Sequence, residues 1–262
     1  MRSAFRILSV LFTLLLAAQG EAVLNARSRM ILCPASTALP ENLYGVCYPV
    51  RFSSDGIPVC CYDPLLSQDE RVEALSADEL ARRGVCPLRD VLTACSGRKL
   101  RLFLDLRPPM VETLSEEQCA ERELIRRRAG RVLQEDGLSE PEAGELCESL
   151  IDSVLDIVAA AGFRLRDVWL VLHDAELCRR LGSRDSGVRI CCAASDGIAV
   201  AGVQALLVHW TEVGSREDVR KLQRQVRHVA VWDVNTRQDA EAMRAAKADF
   251  LLTDDPELIG RP

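Results

Sequence analysis

The chain has 262 residues, with 33 Lys+Arg against 39 Asp+Glu (formal net charge −6), 48% hydrophobic and 27% charged residues. These fractions exclude a disordered, collagen-like or coiled-coil chain, and the acidic balance argues against nucleic acid as a partner, because phosphate binding shows as a basic surplus. The length predicts one large domain or two small ones.

At the amino terminus, Arg2 and Arg6 precede an apolar run over residues 7–18. That is long enough for the hydrophobic region of a secretion signal and short for a bilayer span. Gly20 and Ala22 offer a cleavage point after Ala22, so residues 1–22 read as a signal peptide and 23–262 as the mature, secreted or lumenal domain. No later stretch approaches the about 18 apolar residues of a transmembrane helix, so no such segment is expected once the signal is removed.

Short apolar runs follow at 30–32, 46–52, 58–62, 100–106, 168–172, 188–192, 205–210, 229–234 and 250–252. Bounded by Gly, Pro, Ser or Asp and rich in β-branched residues, they predict strands. Their lack of clean alternation predicts burial on both faces, as in a parallel sheet. Helix starts recur between them: Ser76 with Glu79, Ser115 with Gln118, and Ser139 with Glu142 are capping-box pairs. Leu146, Leu150, Val154 and Val158 then predict one apolar stripe ending near Gly162. Ser215 and Thr236 open two more helices, Val219, Leu222 and Val226 forming a stripe on the first, and Asp255-Pro256 reads as the start of a last one. With no G-x-G-x-x-G after a strand, this alternation predicts a single α/β domain, a TIM-type (β/α)8 barrel, rather than a dinucleotide-binding sheet.

Eleven cysteines leave at least one thiol over in an oxidising compartment. No C-x-x-C occurs, which speaks against a zinc or thioredoxin-type site. Cys60-Cys61 and Cys191-Cys192 lie in strand-like runs, where neighbours point to opposite faces. Two readings stay open: buried unpaired cysteines, or two or three disulfides of unknown connectivity.

Four segments together resemble a known family. Pro40-Glu41-Asn42, preceded by Ala35 to Leu39, resembles the opening of glycerophosphodiester phosphodiesterases, in which His-Arg-Gly precedes Pro-Glu-Asn. Asp55-Gly56-Ile57-Pro58-Val59 followed by Tyr62-Asp63 resembles that family's β-hairpin, which ends in His-Asp. Pro87-Leu88-Arg89-Asp90, then Leu104-Asp105-Leu106-Arg107, resembles its third-strand region, which closes on Glu-Leu-Lys. Trp232-Asp233-Val234-Asn235, then Thr253-Asp254-Asp255-Pro256, resembles its last two strands. The resemblance implies the family's TIM barrel, here with a shortened first βα unit, because residues 43–46 alone separate Asn42 from Cys47.

It also implies a site, and there the chain departs from the family, whose two histidines supply acid-base and nucleophilic function and whose three carboxylates hold a divalent cation. Gapless matching puts Leu32 at the first histidine, Cys33 at the arginine beside it, Cys47 and Pro49 at two carboxylates, and Tyr62 at the second histidine. Asp105 and Arg107 keep the charge of the family's Glu and Lys, and Trp232 is kept outright. Leucine offers no acid-base chemistry, and one carboxylate is a poor cage for Mg2+ or Ca2+. The expectation is therefore a glycerophosphodiester phosphodiesterase-like protein that has lost catalysis and acts in binding or interaction, with no cofactor and a glycerophosphodiester or other phosphate-bearing small ligand. The alternative is a divergent hydrolase releasing glycerol 3-phosphate, which would need Mg2+ or Ca2+.

In a TIM barrel, chemistry sits at the carboxyl ends of the strands. That rim is expected to carry Asp105, Arg107, His173, Asp174, His209, Trp210, Trp232 and Asp233. Asp105 and Arg107, two apart on one strand, share the axis-facing side, as a phosphate-facing couple or as an ion pair plugging the barrel. His173 reads as a replacement base or a hydrogen-bonded substitute for an aromatic, His209 as a ligand contact or a satisfied rim histidine. Asp254 and Asp255 read as helix caps, Arg126 to Arg128 and the Arg216 to Arg227 run as solvated faces.

Overall fold

A computed structural model describes residues 28–34, 39–41, 43–67, 70–107, 140–184, 186–193 and 201–259, the side chains of 140–144 excepted. The signal segment, residues 35–38 and 42 of the Pro-Glu-Asn opening, the helix expected from Ser115, the Arg126 to Arg128 run and the cap at Ser139 lie outside the described residues.

The strands are β1 (Arg29–Leu32), β2 (Gly45–Phe52), β3 (Pro58–Cys60), β4 (Cys86–Pro87), β5 (Arg101–Leu106), β6 (Val168–Leu172), β7 (Arg189–Cys192), β8 (Ala205–His209), β9 (His228–Trp232) and β10 (Phe250–Thr253). Eight of them, in the order β1-β2-β5-β6-β7-β8-β9-β10, run parallel, and β10 pairs back onto β1, closing a TIM barrel. β3 and β4 extend from β2 as an antiparallel flap. The helices are α1 (Ala77–Arg82), α2 (Leu88–Cys95), α3 (Glu140–Ala160), α4 (Ala175–Gly182), α5 (Arg216–Gln223) and α6 (Arg237–Ala246).

Closure explains the unbroken apolar runs: β6 (VWLVL) is buried throughout, because alternate side chains fill the barrel axis and the layer beneath the helices. Ile31, Cys47, Phe103, Trp169, Cys191 and Phe250 belong to the axial cluster, whereas Leu32, Val46, Leu104, Leu170 and Cys192 belong to the outer one. The Cys191-Cys192 doublet therefore splits between layers as period two requires, Cys191 axial and Cys192 outer, while Cys60 and Cys61 pack against two different clusters outside the axis. No disulfide joins any of the ten described cysteines.

The lower barrel is closed by aromatics. Phe103 and Trp169 stack at 5.5 Å, Phe250 meets both edge-on at 5.3 Å, and the Arg189 guanidinium lies 5.1 Å over Trp169. Next to them Gly45 is required, since a Cβ there would stand 2.8 Å from the Arg101 carbonyl oxygen. His228, at the start of β9, packs on Trp169 at 5.6 Å, at the amino-terminal end of the barrel.

Local signals were read correctly where a side chain caps a backbone. Ser76 and Glu79 form the reciprocal box on α1, with Ser76 N donating to Glu79 Oε2 at 2.9 Å. Ser215 and Thr236 accept from Asp218 N and Asp239 N at the starts of α5 and α6. Two expectations change. Leu146 is exposed, and the buried stripe of α3 runs through Ile151, Val154 and Val158, because one face of a helix advances by three as well as four residues. The last predicted helix is a single 3-10 turn, Pro256–Leu258.

Candidate functional site

The carboxyl ends of the strands surround a cavity of about 350 Å3. Its wall carries Cys33, Cys47, Pro49 and Tyr62 on one side, then Asp105, Arg107 and His173, then Trp232, Asp233 and Asp254. Nine of these were expected at the site: Cys33, Cys47, Pro49, Tyr62, Asp105, Arg107, His173, Trp232 and Asp233. They converge because they stand within β2, at or just beyond the ends of β1, β5, β6 and β9, or two residues past β3.

Asp105 organises the first wall. His173 Nε2 lies 2.6 Å from Asp105 Oδ1, and Arg107 donates from Nε at 3.1 Å and from Nη2 to Oδ2 at 2.9 Å. Burial, the largest influence, pushes the Asp105 carboxyl up, but the bonds from His173 and Arg107 outweigh it and hold it below the ordinary value. A carboxylate only accepts, so His173 presents Nε2–H to it and keeps Nδ1 for other partners. Among the described residues Arg107 Nη1 has no bonding partner, and the side chain is 43% exposed. The couple is therefore an ion pair facing the cavity.

The facing wall is acidic and aromatic. Asn235 Nδ2 donates to Asp233 Oδ1 at 2.8 Å, and Asn235 Oδ1 accepts from Asp254 N at 2.8 Å, fixing both aspartates beside the exposed Trp232. Asp233 has φ 63°, a left-handed backbone that a non-glycine residue holds at a cost. In strand order β5 and β9 stand on opposite sides of the barrel, as do β6 and β10. Arg107 and His173 therefore look across the cavity at Asp233 and Asp254.

Other expectations are relocated. Leu32 is buried in the outer layer and does not line the cavity; Cys33, one step along, does. The gapless match had put a side chain on the wrong face of β1, and period-two alternation from Ile31 is the signal that finds Cys33. His209 stands behind Trp232, its ring 4.6 Å away, with Nε2 3.1 Å from Asp233 Oδ2 and Nδ1 2.6 Å from Thr211 Oγ1. It buttresses the wall instead of lining it. Asp174 caps α4, accepting from Leu177 N at 2.6 Å, and Trp210 opens a 3-10 turn. Of the pair read as caps, Asp255 does accept from Glu257 N at 2.8 Å, whereas Asp254 faces the cavity.

A hard divalent cation does not fit the residues present. Mg2+ and Ca2+ take several oxygen ligands, yet Cys47 and Pro49 occupy the second strand and the Asp105 oxygens are engaged by His173 and Arg107. Among the described residues no group of three His, Cys, Asp or Glu side chains is placed to hold a metal. Burial raises the Tyr62 hydroxyl above its usual range, which makes it a poor base. No described helix is long and apolar enough to cross a membrane.

No protein-family model and no curated protein matches the chain in sequence. Solved structures match it in shape. A phosphodiesterase from Oleispira antarctica, in complex with its product sn-glycerol-3-phosphate, superposes with a TM-score of 0.63 at 14% identity over 88% of this chain and 94% of that one. A glycerophosphodiester phosphodiesterase from Parabacteroides distasonis gives 0.61 at 15% identity over 88% and 94%, and one from Thermotoga maritima 0.59 at 14% over 88% and 96%. The chain shares the barrel fold of these structures.

Proposed function

We propose that the chain is a glycerophosphodiester phosphodiesterase-like protein that binds a zwitterionic glycerophosphodiester without hydrolysing it. The observation that carries this reading is the polarity of the cavity. Arg107, with a free Nη1, and His173 suit the phosphate. Across the barrel, Trp232 with Asp233 and Asp254 suits an amino or quaternary ammonium group, through ring quadrupole and carboxylate charge together. The volume accommodates a small ligand. The Oleispira antarctica protein, of the same fold, holds sn-glycerol-3-phosphate, which supports a phosphate-bearing ligand here. The loss of oxygen donors at Cys47 and Pro49 supports binding over turnover. The same reading places the protein in the secretory pathway, on the strength of its amino-terminal segment.

A second reading rests on the 2.6 Å His173–Asp105 contact. A histidine oriented by a carboxylate, with Nδ1 directed away, is the arrangement of a general base, and Arg107 would steady the phosphate without a metal. Calorimetry with glycerophosphocholine, beside a turnover assay with and without EDTA, separates the two. The first reading expects saturable binding, at least tenfold weaker in Arg107→Ala, and no glycerol 3-phosphate. EDTA-resistant release abolished by His173→Ala would establish the second. EDTA-sensitive release abolished by Arg107→Ala would overturn both and show a rebuilt metal site.

A further inference from the structure

We propose that Cys33 and Cys47 form a reversible disulfide in the wall of the cavity. β1 and β2 pair in register Ile31↔Gly45 and Leu32↔Val46, so the next step sets Cys33 opposite Cys47. Neighbouring strands run about 4.8 Å apart, inside the roughly 4.4–6.8 Å that separates the Cα atoms of a disulfide. Both side chains face the cavity, and Cys33 packs against the axial cluster to which Cys47 belongs. Strand register and a shared cavity wall thus bring the two cysteines side by side.

Other neighbouring cysteines lack one of these conditions. Cys178 and Cys192 share the outer cluster, but both are fully buried, at 0% and 1% exposure. Cys60 and Cys86 are register partners, but they do not belong to the wall of the cavity. Cys33 and Cys47 combine contact with a solvent-facing cavity.

The chemistry requires an oxidant, and a small disulfide such as glutathione disulfide supplies it. Cys33, the more exposed of the two, attacks as thiolate; the S–S bond of the oxidant breaks and one glutathione thiolate leaves. Cys47, which is buried, remains a thiol at this step. It then attacks the Cys33 sulfur, its proton passing to the second departing glutathione. Two protein thiols lose two electrons and two protons, and one glutathione disulfide becomes two glutathiones. The proposal stands apart from the choice of ligand.

The test incubates the folded full chain with a glutathione disulfide/glutathione mixture, quenches in acid and maps peptides without reduction. The expected result joins the peptides carrying Cys33 and Cys47, a link that dithiothreitol removes and that is lost in both Cys33→Ser and Cys47→Ser. In Cys47→Ser, Cys33 is expected to carry a glutathione adduct instead. The exposed Cys86 takes up glutathione throughout and shows that the oxidant acts. Cys33 joined to another cysteine, or Cys33 and Cys47 both unmodified while Cys86 is modified, would overturn the proposal.

Discussion

Asp105 is the residue on which the site turns, since it bonds both His173 and Arg107 from a mostly buried position. Its carboxyl is held below the ordinary value of 3.8, so the stability it contributes is present above that value and is lost as the pH falls through the lowered one. Acid unfolding of Asp105→Asn is therefore expected to show a shallower loss of stability below about pH 4, measured by urea midpoints across the acid limb; an unchanged limb would mean that the ion pair carries no folding energy. The expectation that Asp105 and Arg107 share a face followed from strand periodicity. Their bond to His173 did not, because it joins residues 68 apart in sequence, and only closure of the sheet brings β5 beside β6.

At the scale of elements, caps are written locally and packing is not. Ser76 satisfies the exposed amide of Glu79 at the start of α1, and Ser76→Ala is expected to cost about 1 kcal/mol, readable as a shift in the denaturant midpoint without a change in slope. The capping boxes were legible because donor and acceptor lie three residues apart. Strand β4 was missed because two residues carry no period, and the last helix shrank to one turn because Pro256–Leu258 is followed by no apolar repeat to bury. Leu32 shows the cost of matching residues without regard to faces: one step along a strand exchanges the axis for the outer layer.

For the whole molecule, the aromatic plug sets the depth of the cavity. Trp169 is 1% exposed and touches Phe103, Phe250 and His228, so Trp169→Ala is expected to cost about 3–5 kcal/mol. A thermal midpoint lowered by several degrees checks it; a small shift would mean that the lower barrel collapses onto the void. The sequence by itself determined the class of fold and nine cavity residues, because strand period, caps and turn residues act over a few positions and the family resemblance supplied their order. The polarity across the cavity, the place of Asp254 and the meeting of Cys33 with Cys47 were decided only by the tertiary structure. Each depends on which strands become neighbours or opposites when eight of them close, and that is a property of the circle rather than of any segment in it.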